Sequence, residues 1–372
     1  MIEQPPFWMW ILGFLLVLGP LVTLHELGHL LVGRLLGVEA QAFSVGFGKE
    51  LVGFNDSRGT RWRISALPLG GYVQFKGDMN PASIPDPNAP AEPGAFQNAS
   101  LWRRALIVFA GPATNILIAV GIFAAFFMLI GRPVPVDAAQ QLTVAGFSEE
   151  SPAQAAGIEV GDRIVTLDGE AIESFRDLQQ EVMLHPETSM TLGVERAGRT
   201  LEFPITTMSH EVEDRFGNVS KIGLLGVESA GVEYDFVPEG PVAAIGSGVE
   251  QSVDTFSMMI TGIKQIVTGQ RSVRELGGPV KIAKFSGEQL SLGWIAFINF
   301  AALISLNLAF INLLPIPALD GGHLAFYAAE AIRRKPVGPR AMEMAYRTGV
   351  ALVLALMLFV TINDLASLTL FG

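Results

Sequence analysis

Four apolar blocks divide the chain, and a stretch of alternating polar and apolar residues separates the second block from the third. The blocks cover residues 7–36, 105–130, 292–314 and 348–370, and each approaches or exceeds the roughly 20 residues that a transmembrane helix needs. The intervening region, about residues 136–240, has the polar and alternating pattern of a soluble domain. The pattern therefore predicts a polytopic α-helical membrane protein with about four transmembrane helices and one inserted domain.

Shorter patterns predict the elements between these blocks. Residues 43–54 and 62–75 are rich in β-branched and aromatic residues and flank the turn-like NDSRG, so they predict a β-hairpin. Residues 76–98 hold five prolines among small polar residues, which is typical of a mobile linker. Residues 241–267 repeat apolar positions at helical spacing and predict one amphipathic helix. That helix either lies on the outer membrane surface, or clamps the inserted domain to the spans, or packs against the rest of the protein without a further role.

These patterns divide the chain into seven expected regions. The divisions are 1–37 for the first transmembrane helix, 38–99 for the hairpin and linker, 100–132 for the second transmembrane helix, 136–228 for the inserted domain, 229–291 for the amphipathic helix and return loop, 292–335 for the third transmembrane helix, and 336–372 for the fourth.

Composition and charge narrow the class of protein and its orientation. The chain of 372 residues is 50% hydrophobic and only 16% charged, which excludes an ordinary soluble protein. Lys and Arg concentrate in the first and third loops, so those loops are expected in the cytoplasm, with both termini and the inserted domain outside.

The net charge of −11 argues against nucleic acid as a ligand. With no cysteine, a disulfide framework and a thiolate metal site are both excluded. The first block lacks a basic start and a cleavage site, which favours a retained anchor.

Candidate chemistry lies inside the first apolar block, in the sequence LVTLHELGHL. On a helix, His25 and His29 are four residues apart and share one face, where two imidazoles can bind one metal ion. Glu26 is beside them, placed to accept a proton from a water molecule that the ion activates. Ionisable groups at membrane depth are costly, so their presence predicts a functional site, namely hydrolysis within the membrane.

A second polar cluster is predicted at the same depth. His25 lies about 27 Å into the first span, counted from Phe7 at the helical rise per residue. Asn312 lies equally far along the third span. The prolines of LLPIPALDGG break the helix there, so Asp320 is expected on irregular backbone at similar depth. A catalytic zinc commonly takes three protein ligands of N or O type, which His25, His29 and Asp320 supply. His323 is the alternative third ligand, because it follows Asp320 by three residues and imidazole is a good zinc donor.

Two further features have more than one interpretation. Four glycines of the predicted hairpin would allow another chain to approach the backbone closely, and an open strand edge would hold a substrate in extended form. These substrate-binding candidates are Gly46, Gly48, Gly70 and Gly71. The alternative is a small cytoplasmic hairpin without a catalytic role. Asn115, a polar residue in the second span, either forms a hydrogen bond between helices or acts near the active site.

The ordered motifs HELGH, GFG, GGYV, AGPATN, SPAQAAGIEVGDRI and NLLPIPALDGGH resemble the site-2 protease family of intramembrane zinc metalloproteases. More narrowly, the chain is similar to the bacterial regulator-of-sigma-E protease group over nearly its whole length. The resemblance implies His25, His29 and Asp320 as zinc ligands, Glu26 as the catalytic acid and base, and Asn312 as a substrate-holding residue. It also implies that the hairpin dips into the membrane beside the zinc, which makes the bilayer itself a partner.

The resemblance extends to the inserted domain and the substrates. SPAQAAGIEVGDRI is similar to a PDZ domain of the bacterial protease type, which binds peptide C-termini between a strand and the helix around residues 175–183, or serves as a steric cover. Several members carry two PDZ domains, whereas this chain has room for about one. The implied substrates are single-span membrane proteins in the bacterial inner membrane, such as tethered anti-sigma factors, or signal-peptide remnants. The rival functions are a non-catalytic scaffold that presents the PDZ domain and a zinc transporter.

Overall fold

The structure, a computed structural model, describes residues 5–77, 92–135, 142–213, 219–229, 234–269, 272–273, 276–335 and 337–367. Most of the predicted linker and the first residues of the predicted inserted domain lie outside these ranges. Everything that follows concerns the described residues.

The helices and strands of the described residues are numbered in chain order. The helices are α1 (Phe7–Leu35), α2 (Leu101–Leu129), α3 (Pro152–Ala155), α4 (Phe175–Leu184), α5 (Pro241–Val267), α6 (Pro279–Ser291), α7 (Trp294–Leu313), α8 (Asp320–Arg333) and α9 (Pro339–Ser367), with a 3-10 turn at Phe96–Asn98. The strands are β1 (Ala40–Asn55), β2 (Arg61–Phe75), β3 (Arg132–Pro135), β4 (Val144–Phe147), β5 (Arg163–Leu167), β6 (Glu170–Ala171), β7 (Ser189–Arg196), β8 (Arg199–Thr206), β9 (Met208–Glu213), β10 (Val219–Leu224), β11 (Val227–Ser229) and β12 (Tyr234–Val237).

Four of these helices are long and apolar enough to cross a bilayer. They are α1, α2, α7 and residues Arg340–Ala366 of α9, with mean hydropathies of 2.0 to 2.1. Between 17% and 39% of each apolar stretch is buried inside the protein, so most of this surface needs a lipid environment. The prediction of about four transmembrane helices is therefore confirmed, and the chain is a membrane protein.

The chain folds into two compact units. The first comprises Met1–Ala125, Ile245–Phe256 and Gly277–Leu365, and the second comprises Phe126–Ala244, Ser257–Leu276 and Ala366–Gly372. The first unit contains α1, α7 and most of the other two candidate spans, together with β1 and β2. The second contains the inserted domain.

Two apolar clusters hold the first unit together. In one, Val17 and Leu21 of α1 pack against Phe297 and Ile304 of α7. In the other, aromatic and branched residues of β1 and β2 pack against the C-terminal half of α1 and the start of α2, with Leu30 and Ile107 fully buried. The second cluster fixes the two strands beside the histidines of α1.

Helix α6 packs along α1 and is fixed to α9 by a buried carboxylate. Asp364 of α9 accepts hydrogen bonds from the backbone N–H groups of Gly278, Val280 and Lys281, at 3.0, 3.1 and 3.0 Å. The first N–H groups of a helix have no partner within the helix, and a carboxylate satisfies such donors well. The contact holds the end of the fourth span against the helix that precedes the third.

The strands β1 and β2 pair in a more folded arrangement than a simple hairpin. The first half of β1 lies between both halves of β2, since Phe43 faces Val73 on one side and Trp62 on the other. The outer half of β1 pairs with β2 near the turn, where Phe54 faces Trp62. The second half of β2 is thus left at an edge of the small sheet.

The first unit also contains part of the helix predicted as amphipathic, now α5. Gly248 lies so close to Val120 and Ala124 of α2 that an added Cβ would clash with their backbone. The apolar residues Ile245 and Val253 are 54% and 61% exposed. Small residues therefore face the protein here, and the apolar stripe faces outward.

The second unit is an α+β domain around its own core. Strands β6, β5, β7 and β8 form a sheet in that order, and shorter pairs join β4 to β11, β9 to β10, and β3 to β12. Ile164, Leu192 and Val194 are fully buried between this sheet and α4. Ser174 caps α4 by accepting a hydrogen bond from Asp177 N–H at 3.1 Å.

Candidate active site

Three metal-binding side chains meet inside the bundle of the first unit. His25 and His29 project from one face of α1 and are 6% and 7% exposed. Their Nε2 atoms are 3.2 Å apart. Asp320 completes the group, with Oδ2 at 3.1 Å from His25 Nε2 and Oδ1 at 3.6 Å from His29 Nε2. Ligand atoms of the three residues all lie within 4.8 Å of one another.

The backbone after α7 turns sharply to bring Asp320 to the histidines. Helix α7 ends at Leu313, two residues before Pro315, and Ala318 adopts φ +91°, a conformation that is strained for a residue with a side chain. Asp320 is the first residue of α8, not part of an irregular segment as expected from the prolines. Gly321 permits this turn, because an added Cβ would overlap the carbonyl of Leu313.

Glu26 lines the same cavity as the three ligands, a space of about 230 Å³. Its Oε2 accepts a hydrogen bond from the backbone N–H of Val73 at 3.0 Å. Gly71, two residues earlier in β2, lies so close that an added Cβ would be 3.5 Å from Glu26 Cγ and 2.7 Å from Ser44 O. Strand β2 therefore approaches the candidate catalytic carboxylate directly. The resemblance implied a hairpin beside the zinc, but it did not predict the hydrogen bond from Val73.

Asn312 and His323 also line this cavity. Among the described residues, the metal-binding group contains Asp320 and not His323. The His323 ring instead lies 6.4 Å from the ring of Tyr327 on the same helix. The geometry thus favours the first of the two third-ligand alternatives.

Helix α2 supplies a contact to the second ring nitrogen of each histidine. His29 Nδ1 lies 2.7 Å from the carbonyl oxygen of Ile107, and His25 Nδ1 lies 3.2 Å from Asn115 Nδ2. Between them, Gly111 leaves room for both rings, since an added Cβ would clash with each imidazole. The contacts of Ile107 and Gly111 with the histidines were not predicted from the sequence. Their spacing of four residues from each other and from Asn115 does indicate that the three positions share one face of a helix.

The remaining predicted residues lie in the β1–β2 sheet. Gly46, Gly48 and Gly70 have positive φ angles of 88°, 87° and 107°. Gly46 is buried against the carbonyl of Leu67, and Gly48 is exposed. Of the four glycines, Gly71 is the one for which a Glu26 atom is among the three atoms nearest to an added Cβ.

An ionic cluster joins the turn of this sheet to the end of α1. Asp56 Oδ2 accepts a hydrogen bond from the indole N–H of Trp62 at 2.8 Å and pairs with the guanidinium of Arg34. The Trp62 bond first, and then the Arg34 bond, hold the pKa of the Asp56 carboxyl below its usual range. Because Asp56 stays ionised at neutral pH, the cluster fixes the sheet to the helix that carries the histidines.

The ligand set fits a zinc ion. In a tetrahedral site with bonds of about 2.0–2.1 Å, neighbouring ligand atoms are about 3.3 Å apart. The three separations here, 3.2, 3.1 and 3.6 Å, are close to that value. Asp320 Oδ2 is also buried and makes no well-formed hydrogen bond with the described residues, as expected of an atom that binds a cation. Two imidazoles and one carboxylate leave the fourth position for water or substrate.

Comparisons with known proteins give the family. The model described as Peptidase family M50 matches residues 13–356. A relative from Agrobacterium fabrum, whose name describes a zinc metalloprotease, is 42% identical over 369 residues and covers 96% of each chain. Metalloprotease MmpA from Caulobacter vibrioides is 34% identical and also covers 96% of each chain. Among solved structures, the PDZ domain of an SdrC-like protein from Listeria monocytogenes is 17% identical with a TM-score of 0.20, and covers 26% of this chain and 94% of that one. The chain belongs to peptidase family M50, the site-2 protease family, and is a membrane-embedded metalloendopeptidase.

Proposed function

We propose that this protein cleaves transmembrane segments of single-span membrane proteins, using a zinc ion held by His25, His29 and Asp320. The observation that carries the proposal is the convergence of these three side chains in one buried cavity with Glu26. The names of the relatives support zinc as the ion. Bound there, zinc would polarise the peptide carbonyl and lower the pKa of water.

The chain's own residues move the proton and hold the peptide. Glu26 accepts the proton of the attacking water and delivers it to the leaving amine, as a general base and then a general acid. The N–H of Val73 holds the Glu26 carboxylate in position through its 3.0 Å hydrogen bond. Asn312, which lines the same cavity, contacts the peptide to be cleaved.

The edge of β2 that faces the cavity receives the substrate as an added strand. A helical peptide hides its carbonyls, so cleavage requires an extended segment, and strand pairing supplies that geometry. The N–H of Val73 points to Glu26, whereas the N–H of Lys76 bonds to Glu39 O beside β1. Residues 71–75 therefore present one side to the catalytic carboxylate. The glycine candidates Gly46, Gly48, Gly70 and Gly71 keep this sheet free of obstructing side chains.

The charges of the loops and the family support a proposal for the substrates and the location. The chain lies in the bacterial inner membrane, with its first and third loops in the cytoplasm because they carry the Lys and Arg residues. The active site lies near the cytoplasmic side, and the termini and the inserted domain lie in the periplasm. The substrates are membrane-tethered regulators such as anti-sigma factors. The inserted domain is a PDZ domain that selects them by binding peptide C-termini or by excluding bulky ones.

Replacement of Glu26 by Gln tests the hydrolytic proposal. The purified full chain is incubated with single-span substrates, with and without a chelator, and the cut position is mapped. We expect Glu26→Gln to lower cleavage by about 10²–10⁴-fold, since it removes the proton acceptor, while zinc remains bound. Glu150→Gln, at an exposed carboxylate of the second unit, serves as the matched control and should cleave normally. Normal cleavage by Glu26→Gln, or cuts outside the membrane segment, would contradict the proposal.

A further inference from the structure

We infer that α2 orients both histidines for the metal, and that Asn115 is a positioning residue whose amide oxygen accepts the Nδ1–H of His25. The inference rests on the proposed function, because it takes His25 and His29 as metal ligands. It adds a role for a residue that neither binds the ion nor contacts the substrate.

Helix α2 presents three groups to α1 at intervals of four residues. Ile107 offers its carbonyl oxygen to His29, Gly111 offers the space that the two rings occupy, and Asn115 offers its amide to His25. Residues spaced by four lie on one face of a helix. The spacing matches that of His25 and His29 on α1, so each ring meets its own partner on α2.

The orientation of the rings fixes where their protons must be. Both Nε2 atoms face Asp320, so both must offer a lone pair to a metal ion. In neutral imidazole the other nitrogen, Nδ1, then carries the hydrogen and needs an acceptor. The Ile107 carbonyl is such an acceptor for His29, at 2.7 Å. Metal-binding histidines generally have an acceptor of this kind, which sets the tautomer and strengthens the ligand.

Asn115 meets the same requirement for His25 in only one orientation of its amide. The atom placed 3.2 Å from His25 Nδ1 is Nδ2, a donor, while Oδ1 is buried without a hydrogen-bond partner among the described residues. If Nδ2 donated to Nδ1, the His25 proton would have to be on Nε2, the nitrogen that must bind the metal. The two ends of an amide have nearly the same shape. Rotation by 180° brings Oδ1 to His25 Nδ1 and gives the Nδ1–H its acceptor.

Asn115 is also contacted by a third helix, through its backbone and not through its amide. Its side chain is fully buried, and its backbone carbonyl accepts a hydrogen bond from the hydroxyl of Ser305 on α7 at 2.8 Å. Ser305 is fully buried as well. In an apolar bundle, an amide has few alternative partners, so it stays at the ring. Asn115 thus connects α1, α2 and α7 at one level.

A hydrogen bond that only stabilises the helix bundle and one that positions His25 predict different effects of substitution. A structural bond stabilises the bundle, so its loss lowers thermal stability and leaves the intrinsic affinity of the folded site for zinc unchanged. Loss of a positioning bond lowers that affinity even where the bundle remains folded. Substitution of such outer contacts typically weakens metal binding by about 10–100-fold.

Zinc affinity of the purified full chain in detergent, measured by competition with a chelator, tests the inference. We expect Asn115→Ala to bind zinc about 10–100-fold more weakly. Asn115→Asp keeps an acceptor oxygen at the same place and should bind within about threefold of the unmodified chain, because carboxylates serve as partners of metal-binding histidines. Ser305→Ala, the matched control, removes a buried hydrogen bond of the same bundle that does not touch the imidazole, and should also stay within about threefold.

Ring-nitrogen NMR of histidine-labelled protein gives a second readout that does not depend on the alanine variant. The chain has five histidines, so His25 and His29 are assigned by substitution of the others. In the zinc-loaded protein, His25 should show a protonated Nδ1 that exchanges slowly with water, and Asn115→Asp should shift its signal through a stronger, charge-assisted hydrogen bond.

Three results would overturn the inference: equal zinc affinity of Asn115→Ala and the unmodified chain, an Asn115→Asp variant as weak as Asn115→Ala, or a 10–100-fold loss in Ser305→Ala. Failure of the proposed function is distinguishable from these, because then the unmodified chain would bind no zinc that depends on Asp320.

Discussion

The polar cluster of the membrane bundle and that of the inserted domain differ in how they satisfy their charges. In the inserted domain, Arg196 donates hydrogen bonds to both oxygens of Asp162 at 2.6 Å, to Glu159 at 2.9 Å and to Gly157 O at 2.8 Å. Asp162 Oδ2 also accepts from the N–H of Glu159. Donors and acceptors are matched, so this network is complete without a ligand.

In the bundle, acceptors converge without a matching cation of the protein. Two Nε2 atoms and the carboxylate of Asp320 point at one another, and Asp320 Oδ2 has no well-formed hydrogen bond among the described residues. Buried polar groups are costly unless they are paired. A complete buried network thus indicates a structural role, and an incomplete one indicates a place for a ligand.

The largest effect is expected where the incomplete cluster loses an acceptor. We expect Asp320→Ala to weaken zinc binding by at least about 1000-fold, more than the 10–100-fold loss typical of outer contacts, and to abolish cleavage. His323→Ala is the matched control, since His323 lines the same cavity outside the ligand group. Metal content after dialysis, measured by elemental analysis, checks both variants.

The result of this pair also settles which residue is the third ligand. If His323→Ala lost the metal and Asp320→Ala kept it, the assignment of the two residues would be reversed. If neither variant lost it, the contrast between complete and incomplete clusters would have no predictive value here.

A smaller effect is expected where the complete network loses its cation. Arg196→Met keeps the aliphatic stem but leaves the carboxylate of Asp162, which is 2% exposed, without its counter-charge. We expect the inserted domain to lose about 2–3 kcal/mol of stability, with zinc affinity unchanged. Pulse proteolysis of the full chain measures this loss.

A matched control for that substitution lies in the same domain. Arg163→Met breaks the ion pair with Glu195, whose side chains are 44% and 38% exposed. Exposed pairs contribute little, so the expected loss is below about 1 kcal/mol. Equal losses for the Arg163 and Arg196 variants would show that burial does not decide the strength of this network.

The smallest expected effect is on the pH dependence of the stability of the inserted domain. The hydrogen bonds from Arg196 lower the pKa of the Asp162 carboxyl below its ordinary value. A pKa that is lowered in the folded state stabilises the domain at pH values above the pKa of the unfolded state, which is about 3.9. This contribution is lost as the pH falls through the pKa of the folded state. The stability difference between the unmodified chain and Asp162→Asn should therefore be constant from pH 5 to 8 and shrink in acid. A difference that grew on acidification would contradict the sign.

Much of the fold was predictable because membranes impose simple rules. Apolar length identified four spans, and the structure confirms them as α1, α2, α7 and part of α9. The helix predicted for residues 241–267 matches α5 in its bounds. Helical spacing on one span and a count of residues along two spans predicted that His25 and His29 meet a third ligand near Asp320. The choice of Asp320 over His323 came from the resemblance to the family.

Other features depended on contacts that no local pattern contains. The first half of β1 lies between both halves of β2, and the alternating pattern of polar and apolar residues in a two-stranded hairpin does not predict this pairing. The bond from Val73 N–H to Glu26 joins residues 47 positions apart through the backbone, so no side chain marks it. The same holds for the Ile107 carbonyl at His29.

The sequence alone determined the membrane class, the four spans and the set of residues able to bind a metal, because these depend on hydrophobicity, helical period and side-chain chemistry. The packing of the folded chain fixes which nitrogen of each imidazole faces Asp320, which partner the other nitrogen meets, and which strand touches Glu26. The physical reason is that hydrogen bonds extend only about 3 Å. Their partners are therefore selected by how helices and strands pack, which the order of residues specifies only through the whole fold.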